Sequence, residues 1–338
     1  MVLKKIPPNA RSAFTGNCVA KSMLSLPDFK EKQILFIRTA DVKLDKLQFK
    51  NENICWTNDG NIENQLSCHK TLALFVIGDC SITSVLIRNC KKLGVSLFLM
   101  KDNFEIYAKL LAAAEGNYLL RQKQYALSAS TELAMAKQVV ANKINNQCLL
   151  LDKKKDAIAL KGLRGLSSHA AKARNHKELL GMEGSASRAF FTTYFAEMGW
   201  RRRMPRTKFD PTNTLMDIGY TLLFNIVDAL LALYGFDGYK GFYHKLFFQR
   251  KSLACDIMEP FRCVIDRQII KSKHLGQIDE KDFRVVRGRY ELDYSRQRKY
   301  LKVFAEELMK NKEAIYCYIR QFYYHILNGD KDFPEFKI

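Results

Sequence analysis

S-L-A-C-D-I-M-E-P-F-R, residues 252–262, sets two carboxylates into a largely apolar segment of the chain. If the segment is helical, Asp256 and Glu259 lie three positions apart and share one face, about a turn from each other. Two such carboxylates repel each other unless a cation or a proton lies between them, so the pair is costly without a ligand. Pro260 predicts that the helix bends or ends there. Three apolar residues would point toward a core and hold the acids in place: Leu253, Ile257 and Met258. The alternative is an exposed turn with two solvated acids, and this segment alone does not decide between them.

The whole chain is basic and has the composition of a folded protein. Its 338 residues are 47% hydrophobic and 27% charged, enough for two domains and a sizeable core. Lys and Arg number 55 against 35 Asp and Glu, a net charge of +20 that favours a nucleic acid over a membrane surface as partner. Nine cysteines without a C-x-x-C pair argue against a disulfide framework or a thiolate zinc site.

Two further features bear on location. The N-terminus lacks the apolar run of a signal peptide, and we expect a cytoplasmic protein with reduced thiols. Residues 218–236 form the most apolar stretch, but Asn225 and Asp228 interrupt it. We therefore predict a buried core helix there and not a membrane span.

The hydrophobic pattern changes at about Leu110. Before it, short apolar or alternating runs predict strands, with turns at K-N-E-N and N-D-G and one short helix over Ser84–Leu93. After it, apolar residues recur at helical spacing up to Leu327, broken by solvated connectors at 153–155 and Ser167–His176. We predict an α+β fold: a small, mainly β domain over residues 1–109, then a larger all-α domain over 110–338.

Two more chemically capable residues lie in apolar settings within the helical part. Glu183 stands in G-M-E-G-S-A-S-R, where it could also be a helix cap or a surface acid. His244 stands in G-F-Y-H-K-L-F-F, where it could also be a hydrogen-bonded core residue. With Asp256 and Glu259 they form an oxygen-rich set with a single nitrogen, the ligand mix of Mg²⁺ or Mn²⁺ and not of zinc. Spacing alone does not prove that the four residues meet.

A dense basic run lies between these candidates. It spans 200–213, contains a proline that predicts a loop, and carries Arg201, Arg202, Arg203, Arg206 and Lys208. Such a run can be a solvated face, but in a chain of net charge +20 we favour contact with the phosphates of a nucleic acid. Arg188, roughly one turn after Glu183, would also suit a phosphate oxygen. A second basic region comprises Lys271, Lys273, Arg284, Arg287, Arg289, Arg296 and Arg298.

Taken together, these motifs resemble the CRISPR-associated adaptation integrases, the metal-dependent member of the two core spacer-acquisition proteins. The resemblance is most specific in E-G-x-x-x-R at 183–188, D-P-x-N at 210–213, G-F-Y-H at 241–244 and D-I-M-E-P-F-R at 256–262. It implies that Glu183, His244 and Glu259 are metal ligands, Glu259 at a position that is Asp in some members. It also implies a catalytic role for Asp256 as the neighbouring acid, with or without direct coordination of the metal.

The resemblance further implies a function. The chain would be a Mg²⁺- or Mn²⁺-dependent DNA integrase of CRISPR adaptation, with endonuclease activity from the same site. It would join the 3′-hydroxyl ends of short DNA fragments into the CRISPR repeat by transesterification. Its partners would be double-stranded DNA, a second copy of itself contacted through the β domain, and the small second adaptation protein. Two dimers of this chain would flank one dimer of that protein. Two alternatives stay open: a stand-alone metal-dependent nuclease, and a non-catalytic nucleic-acid-binding scaffold with structural acids.

Overall fold

A computed structural model describes residues 32–39, 43–101, 105–112, 117–245, 247–329 and 332–338. The N-terminal stretch without an apolar run lies outside these residues, as does Phe104 at the start of one expected strand. The strands are β1 (Gln33–Arg38), β2 (Asp45–Lys50), β3 (Asn53–Asn58), β4 (Asn61–Ser67), β5 (Thr71–Ile77), β6 (Ser81–Ile82), β7 (Ser96–Met100), β8 (Ile106–Leu110), β9 (Phe283–Val286) and β10 (Arg289–Leu292). The α-helices are α1 (Ser84–Lys92), α2 (Tyr118–Tyr125), α3 (Ala129–Leu150), α4 (Ala157–Ala170), α5 (His176–Tyr194), α6 (Pro211–Tyr234), α7 (Ser252–Met258), α8 (Arg262–His274), α9 (Tyr294–Lys310) and α10 (Lys312–Asn328).

The N-terminal part is built from two four-stranded sheets, which confirms the expected mainly β region. One sheet has the order β1-β5-β7-β8 and the other β4-β3-β2-β6. The expected turns are present, with positive φ at Asn51 and Glu52 in one and at Asp59 and Gly60 in the other. Strand β4 was not expected, because N-I-E-N-Q-L-S is polar and its first five residues are exposed. Backbone pairing with β3, which sequence periodicity does not reveal, makes it a strand.

Strand β5 joins the two halves of the molecule because both of its faces are buried. Leu74 and Val76 belong to a cluster with α1 and the second sheet. Phe75 and Ile77 alternate with them and belong to the continuous core of the helical part. The ring of Phe75 stacks between Phe36 and Phe98 on the neighbouring strands, with centroids 4.8 Å apart on each side. The sheet is therefore anchored to the helices through one complete face.

Helix α6 is the central helix of the larger part. It starts at Pro211, its Asp210 cap accepts from the Asn213 N–H, and it ends at Gly235 with φ of 89°. Within the described residues it alone is long and apolar enough to cross a membrane, yet 83% of its most apolar window is buried inside the protein. The prediction of a buried core helix is thus confirmed. Asp228, one of the polar residues that interrupt it, is ion-paired with Lys251 at 2.7 Å.

The expectation of an all-α second part was wrong in one place. Strands β9 and β10 form an antiparallel hairpin whose turn, Arg287-Gly288, has positive φ at both residues. Its strands have only four residues each and carry several arginines, so they lack an apolar alternation. The connector expected over Ser167–His176 was also wrong at its start. Residues 167–170 complete α4, because Ala170 lies on the buried face of that helix.

Candidate active site

The segment 252–262 is helical, which decides between the two alternatives that its sequence left open, and its winding changes in the middle. Helix α7 is followed by a 3₁₀ turn over Glu259–Phe261 and then by α8, so the chain stays helical through Pro260. Asp256 and Glu259 are 0% and 3% exposed, which rules out a solvated turn. The three apolar residues expected to face the core are buried: Leu253, Ile257 and Met258.

Glu259 and Glu183 meet at the ammonium group of Lys143. Lys143 lies on α3, and its Nζ is 2.8 Å from Glu259 Oε2 and hydrogen-bonded to Glu183 Oε1. The side chains of Lys143, Glu183 and Glu259 are 8%, 14% and 4% exposed. Arg262 donates from Nε to Glu259 Oε2 at 2.9 Å, and the Tyr243 hydroxyl donates to Glu183 Oε2 at 2.9 Å. Two acids that are 76 residues apart in the sequence thus share one cation.

Opposite charges favour the ionised forms of Lys143 and Glu259 in this buried cluster. Burial by itself would lower the pKa of Lys143, but the facing carboxylates of Glu183 and Glu259 raise it above its ordinary value. Burial would raise the pKa of Glu259, but Arg262 and Lys143 hold it well below its ordinary range. Burial, reinforced by the nearby Glu183 carboxylate, raises the pKa of Tyr243, which therefore stays a neutral donor.

Asp256 orients the loop that carries His244. Its Oδ2 accepts the N–H groups of Phe242 and Tyr243 at 2.7 and 3.0 Å. Its Oδ1 accepts the N–H of His244 at 2.9 Å and lies 2.6 Å from His244 Nδ1. This contact occupies Nδ1 of the ring, so Nε2 is the nitrogen of His244 that is left for another partner. A Cβ on Gly241 would lie 2.6 Å from Asp256 Oδ2, so this approach requires glycine.

The donor atoms are of the type that hold Mg²⁺ or Mn²⁺. Glu183 and Glu259 converge on one cationic atom, and Mg²⁺ is usually held by one or two carboxylates together with waters. His244 could add one nitrogen through Nε2. Over the described part of the chain, no three His, Cys, Asp or Glu side chains are grouped closely enough to hold a metal by themselves. The ammonium of Lys143 takes the central position instead, and the three-ligand set stays a prediction.

A second polar layer backs the cluster. The guanidinium of Arg262 lies over the Tyr220 ring, 4.6 Å from its centroid, and the Tyr220 hydroxyl donates to Asp266. Complete burial raises the pKa of Asp266 to about 7. Arg262 is therefore fixed from both sides, by Glu259 and by an aromatic face.

The basic run is a loop up to Asp210, as expected, and its last three residues begin α6. The basic members of the loop are not equivalent. Arg203 is committed to the protein, with Nη2 2.6 Å from Asp217 Oδ1 and Nη1 2.8 Å from Asn213 Oδ1. It fastens the loop to the first turns of α6. The other members have exposed or half-buried side chains: Arg201, Arg202, Arg206 and Lys208. Their contact with DNA stays a prediction.

Tertiary structure brings the two basic regions together. The N–H of Tyr290 on β10 donates to the Lys208 carbonyl at 2.8 Å, and the Thr214 hydroxyl donates to the Tyr290 carbonyl at 3.1 Å. The β9–β10 hairpin with its arginines thus borders the loop. Arg188 lies elsewhere: it is exposed on α5, and five residues place it roughly 140° around the helix axis from Glu183, not on the same face.

Sequence reasoning missed Lys143 and Arg262. A signal for Lys143 was present, because it continues the buried stripe of α3 formed by Ala136, Val139 and Val140 at helical spacing. A lysine on an apolar stripe needs a buried partner of opposite charge. Arg262 follows Glu259 by three residues, the spacing of an ion pair on a helix.

Comparison with known proteins gives a consistent result. Residues 41–306 match the family model of the CRISPR associated protein Cas1. The chain is 28% identical over 263 residues to the CRISPR-associated endonuclease Cas1 1 of Thermodesulfovibrio yellowstonii, covering 72% of this chain and 82% of the relative. A casposase bound to integration product is similar with a TM-score of 0.74 at 17% identity, over 89% of this chain and 92% of that one. A chain of the partial Cas6-RT-Cas1–Cas2 complex gives a TM-score of 0.68 at 23% identity, over 90% of this chain and 99% of that one.

Proposed function

The chain belongs to the CRISPR associated protein Cas1 family, and on that premise we propose that it is a metal-dependent DNA integrase of CRISPR adaptation. It would join the 3′-hydroxyl ends of short DNA fragments into the CRISPR repeat by direct transesterification. With water as the nucleophile, the same site would cut DNA. The endonuclease name of the Thermodesulfovibrio relative and the integration product bound by the casposase support this proposal.

One observation carries the proposal: Glu183 and Glu259 converge on a single cationic point, close to the loop that holds His244. The two carboxylates and His244 Nε2 would hold Mg²⁺ or Mn²⁺. A metal bound there would supply Lewis acidity that lowers the pKa of the attacking hydroxyl and neutralises charge on the phosphoryl oxygens. Lys143 would turn from the carboxylates toward a phosphate oxygen of the DNA. Arg262 would keep Glu259 in place, and Asp256 would hold the ring of His244 through Nδ1, so that Nε2 is the nitrogen presented to the metal.

Integration also sets conditions on the assembly. Two staggered attacks, one on each strand of the repeat, need two sites at a fixed separation. We therefore include a homodimer and the small second adaptation protein in the proposal, as two dimers flanking one partner dimer. The similarity to a chain of a Cas1–Cas2 complex supports such a partner. Light scattering of the mixed proteins would measure the stoichiometry.

The decisive experiment uses DNA with a labelled 3′-hydroxyl end, a plasmid with a CRISPR repeat, Mn²⁺ and the partner protein. We expect wild-type protein to yield a joined product that disappears in His244→Ala and Glu259→Gln. Glu306→Gln, at an exposed acid of α9, is the matched control and should keep the activity. Cleavage without joining would favour the stand-alone nuclease. DNA binding without either reaction would favour the scaffold.

A further inference from the structure

Tyr243 connects two helices that carry acids of the candidate site. It directly precedes His244 and is 5% exposed. Its N–H donates to Asp256 Oδ2 at 3.0 Å, and its hydroxyl donates to Glu183 Oε2 at 2.9 Å. Asp256 lies on α7 and Glu183 on α5. A single residue therefore ties the loop of His244 to both acids.

Neighbouring rings hold the phenol of Tyr243 in place. The centroid of the His244 ring lies 5.0 Å from that of Tyr243, and the His176 ring lies 6.3 Å away and is tilted by only 23°. Burial, reinforced by the nearby Glu183 carboxylate, raises the pKa of Tyr243, so the hydroxyl keeps the proton that it donates. The donor thus has a defined position beside Glu183.

The hydrogen bond from Tyr243 makes the two oxygens of Glu183 different. Oε1 faces the ammonium of Lys143, whereas Oε2 accepts from Tyr243. Glu259 is held in another way, because Lys143 and Arg262 both contact its Oε2. A cation in the place of the ammonium would therefore meet Oε1 of Glu183, while Oε2 is already engaged by the phenol.

Cations differ in how many carboxylate oxygens they accept. Mg²⁺ demands near-ideal octahedral geometry and usually keeps several waters beside one or two carboxylates. Ca²⁺ accepts up to about eight oxygen ligands in flexible geometry, and it often takes both oxygens of one carboxylate. A carboxylate that offers only one oxygen therefore suits Mg²⁺ better than Ca²⁺.

We propose that Tyr243 is a positioning residue that keeps Glu183 a one-oxygen ligand and thereby favours Mg²⁺ over Ca²⁺ at the candidate site. The phenol contacts the carboxylate and acts on the cation only through it. This inference rests on the proposed function, and it adds a determinant of metal selectivity that lies outside the three predicted ligands.

The test measures metal binding separately from the reaction. Electron paramagnetic resonance follows Mn²⁺ binding to the full-length protein, and Mg²⁺ and Ca²⁺ are titrated as competitors. We expect Tyr243→Phe, which keeps the ring and its packing, to lower the affinity for Mg²⁺ about tenfold or more. The affinity for Ca²⁺ should stay within about twofold, because Ca²⁺ can use the released Oε2 as a second ligand oxygen.

Two further variants separate the hydroxyl from the ring. Tyr243→4-aminophenylalanine can still donate to Glu183 and should keep the wild-type ratio of the Mg²⁺ and Ca²⁺ affinities. Tyr239→Phe is the matched control, because it removes a hydroxyl from a residue of the same loop that is 47% exposed. It should leave both affinities unchanged.

Glu183→Gln completes a double-mutant cycle. In that background Tyr243→Phe should no longer change the affinity ratio, because the hydroxyl acts through the Glu183 carboxylate. Equal losses of Mg²⁺ and Ca²⁺ affinity in Tyr243→Phe, or a shift of the ratio that persists in Glu183→Gln, would overturn the inference. If wild type binds Mg²⁺ and joins DNA while Tyr243→Phe leaves the ratio unchanged, only this inference fails. If wild type neither binds these cations nor joins DNA, the proposed function fails as well.

Discussion

At the scale of single residues, Lys143 is the side chain on which the charge balance of the site depends. Replacing it with methionine leaves two buried carboxylates facing each other, with only Arg262 to compensate Glu259. We expect Lys143→Met to lower the free energy of unfolding by about 3 kcal/mol in EDTA. Added Mn²⁺ should restore part of this loss, because a cation would again lie between the acids. Urea denaturation measures both effects, with Lys161→Met at an exposed position of α4 as control. If Lys143→Met were as stable as the wild type, the ion pairs of Lys143 with Glu183 and Glu259 would not be formed.

Substitution of two glycines, Gly241 and Gly184, by alanine should change the stability in opposite directions. A Cβ at Gly241 would meet Asp256 Oδ2 at 2.6 Å and Ser252 Cβ at 2.8 Å, whereas a Cβ at Gly184 meets nothing within 4 Å. Gly241→Ala should therefore cost about 2 kcal/mol of stability and reduce strand joining, because the His244 loop must shift. Gly184→Ala, within α5, should stabilise the protein by up to about 1 kcal/mol. Thermal denaturation of both variants would check the sign. A neutral Gly241→Ala would mean that the loop adapts freely.

The pKa of Asp266 predicts a pH-dependent stability. Because its folded pKa of about 7 lies above the ordinary value of 3.8, stability that is present at low pH is lost as pH rises toward 7. Asp266→Asn mimics the protonated form, and its amide oxygen can still accept from Tyr220. Its advantage over wild type should grow from about pH 4, level off above pH 7, and approach about 4 kcal/mol. Urea denaturation at pH 5, 6, 7 and 8 would follow the difference. A difference that is constant with pH would contradict the raised pKa.

At the scale of elements, the segment 332–338, called the strap below, packs against two elements that carry site residues. Asn142 and Asn146 on α3, on either side of Lys143, hold it: Asn142 donates to the Phe336 carbonyl at 2.7 Å and Asn146 at 2.8 Å. The Phe336 ring lies 4.5 Å from Phe261, in the 3₁₀ turn that begins with Glu259. The strap therefore connects the helix of Lys143 with the turn of Glu259.

This connection predicts a loss of both stability and activity when the strap is loosened. Asn146→Ala removes the acceptor of the Ile338 N–H and one of the donors to the Phe336 carbonyl. We expect it to lower the free energy of unfolding by about 2 kcal/mol. Strand joining should fall with it, because Glu259 loses its support. Asn145→Ala is the control on the exposed side of α3, where one hydrogen bond to Ser167 is at stake. Denaturation and joining assays on both variants provide the comparison. Equal effects of the two substitutions would show that the strap does not support Glu259.

At the scale of the whole molecule, the charge of +20 predicts strongly salt-dependent DNA binding. The affinity should fall linearly with salt on a double-logarithmic plot. Arg201→Ala/Arg202→Ala should weaken binding and reduce the slope by about 2, with no change in stability, because both side chains are exposed. Arg203→Ala should instead destabilise the protein, since it breaks the bonds to Asp217 and Asn213. Anisotropy at several salt concentrations measures the slope, with Lys101→Ala in the β part as control. An unchanged slope would show that Arg201 and Arg202 do not contact the DNA phosphates.

Much of this organisation follows from the sequence. Short apolar or alternating runs predicted the β part, and apolar residues at helical spacing predicted the helical part. The most apolar stretch of the chain, interrupted by Asn225 and Asp228, predicted the buried helix α6. Four motifs in order pointed to the CRISPR adaptation integrases, and that family is confirmed. Strand β4 and the β9–β10 hairpin were not predicted, because they form through backbone pairing and their sequences lack an apolar alternation.

The candidate site was also predicted only in part from the sequence. The sequence by itself determined which acids are set in apolar surroundings, since helical spacing places Asp256 and Glu259 within a buried segment. Only the tertiary structure decided what each acid does. Asp256 accepts backbone N–H groups and orients His244, whereas Glu259 shares the ammonium of Lys143 with Glu183. The reason is physical: a buried charge must find its partner in three dimensions, and Lys143, the partner of Glu259, lies on α3, 116 residues away in the sequence.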